Sequence, residues 1–192
     1  MKAVMLVITL FLLVFWAPVQ AQECKNDVSF GLGAFTYPDM AETGRDVGGF
    51  IGLAGIVRSE STRDGPAFIL SYGRLVREDV KLSFSFGFQK FNVDLYALDY
   101  KWATVNFSYY TFMVRGDYTW YRKSWTSLYS GAAAGLSVVT EESEGESQDD
   151  TEYYLAFQVN AIGVRLGNRV AGFVELGLGY SGILSAGITA TF

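Results

Sequence analysis

The chain has 192 residues, of which half are hydrophobic and 16% are aromatic, and its net charge is −5. This length allows one domain or one β-barrel of roughly eight strands, and the acidic balance argues against a nucleic-acid partner. Because the chain has a single cysteine and no histidine, it cannot build an intrachain disulfide framework and lacks the usual base for a serine nucleophile. Its 21 glycines and many aromatic residues favour an all-β fold.

The N-terminus has the three regions of a secretory signal peptide. Lys2 supplies a positive start, an apolar run extends from Ala3 to Ala17, and small residues stand at Val19 and Ala21. The sequence therefore predicts export, with cleavage after Ala21. No later apolar run is long enough for a transmembrane helix.

Two segments early in the mature chain have strand-like but ambiguous patterns. Residues 27–37 alternate between apolar and small side chains, so they could form a strand. Residues 46–58 are glycine-rich, and their two faces are equally apolar, which leaves their register open. The polar residues 59–65 that follow predict a loop.

The clearest alternation lies in residues 80–95. One face carries large apolar residues and the other small or polar ones, namely Leu82, Phe84, Phe86 and Phe88 against Ser83, Ser85, Gly87 and Gln89. In a membrane barrel the first face would meet lipid and the second the lumen, whereas in a soluble sandwich they would meet a core and water. The apolar phase changes after Gln89, which predicts a bulge or the exit from the membrane.

Two charges identify the lumenal face of the next strand, residues 104–121. Arg115 and Asp117 are two residues apart and therefore share one face. A charge at the lipid midplane would cost about 2–4 kcal/mol. We therefore expect this face to point into the lumen.

A basic turn, Arg122-Lys123-Ser124, follows that strand. Aromatic residues flank the turn and are predicted to form a girdle at a membrane interface: Trp120, Tyr121 and Trp125. On a soluble hairpin the same aromatic residues would be an aggregation hazard.

The most polar segment is 140–152, which holds seven acidic residues and no basic one. Its spacing lacks the pattern of a calcium-binding loop. We therefore expect a solvated surface loop and no metal site.

The last three strands place further polar residues on the lumenal face. Gln158 and Asn160 share one face of the first of these strands, and Glu175 is the only acidic residue of the second. If alternation persists, Arg165 falls on the lipid face, so it must either snorkel to the rim or follow a bulge. The final strand, 183–192, alternates to its end at Phe192.

Eight strands can be counted backward from the C-terminus: 183–192, 170–180, 152–166, 125–139, 104–121, 80–95, 66–77 and 46–58. Short and longer connections alternate between them, as in outer-membrane barrels with short periplasmic turns, except that the final connection, 180–182, is short although it would be external. This count predicts an eight-stranded antiparallel up-and-down transmembrane β-barrel in residues 46–192, after a signal peptide (1–21) and an N-terminal lead segment (22–45). Within the lead, residues 27–37 are surplus, unless they belong to a ten-stranded barrel.

The chain resembles the small bacterial outer-membrane β-barrel proteins of the OmpA/OmpX-like superfamily over residues 46 to 192. The resemblance is carried by the strand pattern and by a terminal signal in which Ser185, Gly187, Ala190 and Phe192 stand at the characteristic positions. It implies an outer-membrane location in a Gram-negative bacterium. It also implies insertion by the outer-membrane assembly machinery with the help of periplasmic chaperones, directed by Gly187 and Phe192.

Three functions are compatible with these features. The first is a structural or surface-interaction barrel without catalysis, cofactor or metal, with a lumenal polar network of Arg115, Asp117, Glu175, Gln158 and Asn160. The second is a narrow channel or small-ligand transporter, although an eight-stranded barrel is just wide enough to be filled by its own side chains. The third, a lipid-modifying enzyme, is disfavoured because histidine is absent. We expect a monomer in membrane lipid.

Overall fold

The computed structural model describes residues 26–38, 57–63, 65–97, 100–143 and 150–192. They form nine strands, which are β1 (Asn26–Ala34), β2 (Val57–Arg63), β3 (Ala67–Leu75), β4 (Val80–Ala97), β5 (Tyr100–Lys123), β6 (Thr126–Ser143), β7 (Asp150–Gly167), β8 (Val170–Gly179) and β9 (Leu184–Thr191). No helix among the described residues is long and apolar enough to cross a membrane.

The nine strands make a closed barrel of eight staves, all antiparallel. β2 pairs with the second half of β4, and β3 pairs with its first half. Together β2 and β3 therefore occupy one of the eight strand positions around the barrel, which we call staves. The seam is closed by β1, which pairs with β3 on one side and with β9 on the other. The predicted eight-stranded barrel is therefore confirmed.

The first stave corrects the predicted domain boundary. Residues 26–34 are not a lead segment, since Val28 pairs with Ala190 and Phe30 with Ile188 in the seam. The count failed because residues 46–58 were treated as a separate stave, whereas β2 and β3 share one partner strand. The barrel includes Asn26 and does not start at residue 46; the predicted signal peptide and most of 46–58 lie outside the described residues.

Three predicted loops are largely strand. Residues 57–63 form β2. In the second loop, β4 continues to Ala97 and β5 begins at Tyr100, and in the third, β6 continues to Ser143 and β7 begins at Asp150. Residues 57–63 and the ends of β6 and β7 escaped prediction because their sequences are mostly polar and show no apolar alternation. A membrane-spanning strand needs about 9–11 residues, whereas β4 to β7 have 18 to 24 residues each and extend further at the end away from the short turns.

Burial is inverted relative to that of a water-soluble protein. The wall exposes large apolar side chains such as Phe68, Leu70 and Val174, while Ser83, Gln89 and other polar residues are buried inside. In β8 and β9 this alternation is regular along the strand. Such an apolar band would aggregate in water, whereas in lipid it is the stable outer surface of a barrel.

The change of pattern after Gln89 is not a bulge. The pairing of β4 with β5 continues without a shift until Leu95 and Tyr96. Phe91 stays in the inward phase of Gln89 and is buried against Tyr109 and Val139. The sequence pattern reverses because the interior itself becomes apolar at this level.

A bulge in β7 decides the position of Arg165. Register shifts occur between Tyr129 and Gly131 on β6 and between Asn160 and Ile162 on β7. Two consecutive residues, 161 and 162, therefore face outward, and the inward phase resumes at Gly163. This brings Arg165 into the lumen, so the bulge alternative was right and the snorkelling alternative was wrong.

Candidate functional site: the lumenal ionic network and its vestibule

The centre of the lumen is a two-pronged ion pair between β5 and β8. Arg115 donates from Nη1 to Glu175 Oε2 at 2.9 Å and from Nη2 to Oε1 at 2.6 Å. The hydroxyl of Tyr129 also donates to Oε1 at 2.7 Å, and the guanidinium lies 5.9 Å from the Tyr129 ring centroid. Parallel charge-assisted hydrogen bonds of this kind are strong and fix the orientation of both groups.

Two buried amides extend this pair toward the β8–β9 hairpin. Asn160 Nδ2 donates to Glu175 Oε2 at 2.8 Å, and Gln158 Nε2 donates to Asn160 Oδ1 at 2.7 Å. Gln158 then reaches the hairpin backbone, donating to the carbonyl of Gly182 at 3.1 Å and accepting from the N–H of Ser181 at 2.9 Å. The network therefore ties the centre of the barrel to one of its connections.

On the other side of Arg115 an ionic chain crosses the lumen. Its links are Arg115 Nε to Asp117 at 2.7 Å, Asp117 to Lys81 at 3.7 Å, Lys81 to Asp27 at 3.1 Å, Asp27 to Arg165 at 3.5 Å, and Arg165 to Thr191 Oγ1 at 2.5 Å. With Glu175 the set contains three acidic and three basic residues, so its charges balance. Balance of this kind is required because an unpaired buried charge is strongly unfavourable.

All five residues predicted to form a lumenal network lie in one connected cluster: Arg115, Asp117, Glu175, Gln158 and Asn160. Sequence reasoning missed Asp27, Lys81 and Arg165. Lys81 could have been found, because it shares the polar phase of Ser83 and Ser85. Asp27 was not predicted because β1 was not counted as part of the barrel. Arg165 was not predicted because it follows the bulge in β7, which changes the alternation.

Close packing requires glycine at one wall position of this cluster. A Cβ at Gly163 would lie 2.5 Å from the ring of Tyr129. The missing side chain therefore makes room for the ring that positions the Tyr129 hydroxyl on Glu175.

On the side of the network away from the short turns, the lumen is filled by side chains. A buried apolar cluster is formed by Met113, Ala133, Ala156 and Tyr180. Still further from the short turns, Phe91 packs edge-on against Tyr109, and their ring centroids are 5.5 Å apart. Thr36, which follows β1, is fully buried and donates to Gln89 across the interior at 2.8 Å. A cavity of about 10 Å³ lies at this level, about the least that one water molecule needs.

On the short-turn side of the network, a cavity of about 1430 Å³ opens at the end of the barrel. We call it the vestibule. Lys81, Arg115 and Arg165 line its wall, together with hydroxyls such as those of Ser83 and Thr189. The described lumen is thus a blind cavity, open at one end and blocked at the other.

The predicted girdle residues lie at the open end. Trp120, Tyr121 and Trp125 expose 50%, 44% and 60% of their surface. A register shift between Thr119 and Tyr121 explains why two consecutive aromatic residues both face outward.

The predicted assembly residues lie in the seam. Phe192 is exposed, and its backbone N–H and C=O pair with those of Asn26 at 2.9 Å each. A Cβ at Gly187 would lie 2.1 Å from the carbonyl oxygen of Phe30 and 2.8 Å from the ring of Phe173. Glycine at this position therefore has a packing reason of its own, whatever part it plays in assembly.

No family model and no curated protein matches the chain. Among solved structures it is similar to the N-terminal β-barrel domain of Pseudomonas aeruginosa OprF, with a TM-score of 0.51 and 12% identity over 90% of this chain and 100% of that domain. It is also similar to Ail, the attachment invasion locus protein of Yersinia pestis, in a complex with the heparin analogue sucrose octasulfate; there the TM-score is 0.45, with 16% identity over 88% and 96% of the two chains. At such identities the similarity to OprF establishes the fold alone, which is that of small eight-stranded outer-membrane barrels.

Proposed function

We propose that this chain, which has the fold of the small eight-stranded outer-membrane barrels, is an integral outer-membrane protein with a structural or surface-interaction role and no catalytic activity. One observation carries the proposal: an apolar outer wall surrounds a lumen that is blocked by its own side chains.

The distribution of strand length supports a surface role. At the end away from the short turns, β7 begins at Asp150, whereas its neighbour β8 ends at Gly179, opposite Gln158. In the proposed orientation the short turns lie in the periplasm. The projecting parts of β4 to β7 and the acidic segment 140–152 then lie outside the cell, where they can meet a partner.

A narrow channel is the second candidate, and the vestibule is the observation that favours it. Conduction would require the Arg115–Glu175 pair to part and the cluster around Met113 and Tyr180 to move aside. Both changes expose buried groups that are now satisfied. A closed barrel is therefore the simpler account.

A lipid-modifying enzyme receives no support from the network. Its carboxylates are engaged by Arg115, Lys81 and Arg165, so none is placed as a free base toward the lipid side of the wall. The chain also contains no histidine.

Location and orientation can be tested in intact cells of a Gram-negative host that exports the full chain. We expect the protein in the outer-membrane fraction and cleavage within 140–152 by a glutamate-specific protease added from outside, because this segment joins the projecting ends of β6 and β7. Trypsin should cut at Arg122 and Lys123 only after the outer membrane is opened. Recovery with the inner membrane, or cleavage at these two residues in intact cells, would contradict the proposal.

A further inference from the structure

The short-turn rim carries three arginines, each on or beside a different turn. Arg77 lies between β3 and β4, Arg122 lies at the end of β5, and Arg169 lies between β7 and β8. All three line the mouth of the vestibule. The fold therefore gathers cations that are far apart in the sequence around one opening.

Backbone hydrogen bonds hold the turns in place. Three backbone N–H groups donate to turn carbonyls at 2.7 Å each: Thr119 to Asp79, Gly167 to Trp125, and Thr191 to Arg169. Each bond connects a turn to a different strand or to another turn. The arginine backbones are therefore positioned before any ligand arrives, which lowers the entropic cost of binding.

The positive charge at the rim is only partly neutralised. The deeper basic residues are balanced within the ionic network, whereas the three rim arginines stand beside two carboxylates, those of Glu78 and Asp79. Arg77 has one ion pair, with Asp79 at 4.0 Å, and its side chain is 78% exposed. Within the described part of the chain, Arg122 and Arg169 form no ion pair. A cationic opening between low-dielectric walls attracts anions.

We infer that this rim binds a phosphate-bearing anion through Arg77, Arg122 and Arg169. The planar guanidinium group donates two parallel hydrogen bonds to phosphate oxygens, and the hydroxyls of Ser124, Thr126 and Ser127 at the same mouth can donate further ones. The phosphate can belong to a soluble solute that enters the vestibule or to an anionic lipid headgroup. Trp120, Tyr121 and Trp125 beside Arg122 would hold the rim at headgroup level.

This inference goes beyond the proposed structural role and can fail without affecting it. Purified protein in nanodiscs of zwitterionic phosphatidylcholine is titrated calorimetrically with sodium pyrophosphate, with sodium chloride of equal ionic strength as reference. The melting temperature is then compared between nanodiscs of phosphatidylcholine and nanodiscs that contain phosphatidylglycerol.

The informative variant is Arg122→Gln/Arg169→Gln, which leaves the ionic network intact. Lys90→Gln is the control, because Lys90 is an exposed cation on the outer wall near the opposite end of the barrel, 6.0 Å from the Phe88 ring centroid. We expect each lost arginine to weaken binding by roughly threefold to tenfold, as expected for exposed charge-assisted contacts. Circular dichroism shows whether each variant retains the barrel.

Two results would support the inference and would separate its two sources. Saturable pyrophosphate binding in phosphatidylcholine, lost in the double variant and kept in the control, supports a soluble ligand. A higher melting temperature in phosphatidylglycerol, lost in the same variant only, supports a lipid headgroup. If neither effect occurs, or if Lys90→Gln removes as much as the double variant, the rim is not a phosphate site.

Discussion

Glu175 accepts hydrogen bonds from Arg115, Tyr129 and Asn160 inside the barrel. These groups are held in place by their mutual hydrogen bonds, and the apolar cluster closes the lumen on the side away from the vestibule. The carboxylate is therefore a shared acceptor for three strands. Its removal would leave several buried donors unsatisfied at once.

We predict that Glu175→Leu destabilises the barrel by about 3–5 kcal/mol, the usual cost of breaking a buried ion pair. Thermal unfolding in detergent, followed by circular dichroism, measures the loss. The double variant Arg115→Met/Glu175→Leu should recover part of it, because no charge is then left without a partner. A single variant that melts at the wild-type temperature would refute the structural role of the network.

Which lumenal residues can be found from the sequence depends on unbroken alternation. Arg115, Asp117 and Glu175 lie within regular stretches, so their phase alone places them inside. Arg165 cannot be placed this way, because the extra residue in the β7 bulge changes the phase and nothing in the local sequence specifies where a bulge occurs. Asp27 depends on whether β1 belongs to the barrel, which is decided by pairing between distant parts of the chain.

At the scale of the strand, β1 and β9 form the seam that closes the barrel. The last rung of this seam is the reciprocal pair of backbone hydrogen bonds between Asn26 and Phe192. The exposed Phe192 ring lies at the same end of the barrel as the aromatic girdle. Loss of the residue would shorten the seam and remove an interfacial anchor.

Deleting Phe192 should therefore lower the fraction of protein inserted in the outer membrane, without changing any lumenal contact. Quantitative immunoblotting of membrane fractions from cells with equal expression measures this fraction. Phe192→Tyr is the control, because it keeps both the backbone pair and an aromatic ring at the interface. Insertion of the shortened chain at the level of the control would show that the residue has no part in assembly.

Strands are predictable where one face meets lipid and less so elsewhere. The alternation of Phe84, Phe86 and Phe88 with small residues is enough to locate the membrane-spanning part of β4. The whole of β2 carries no such alternation, and in the outer part of β4 the apolar residues from Phe91 onward take the phase that polar residues hold up to Gln89. The sequence also does not show that β2 and β3 occupy one position in the barrel, because this follows only from their pairing with the same strand, β4.

At the scale of the molecule, the barrel is asymmetric along its axis. The short-turn end opens into a vestibule of about 1430 Å³, the middle is crossed by the ionic network, and the far end is filled by apolar side chains and extended by β4 to β7. Transmembrane β-barrels conduct only when a continuous aqueous path crosses the lumen. At the level of Met113 and Tyr180 the described residues enclose a cavity of about 10 Å³, which is about the space of one water molecule.

The most direct test is single-channel recording of the purified wild-type protein in planar lipid bilayers, with incorporation checked by protease protection. A lumen blocked by the Arg115–Glu175 pair and by the apolar cluster outside it predicts a flat baseline with no reproducible conductance steps. A stable stepwise conductance of the folded barrel would contradict the closed lumen and favour the channel.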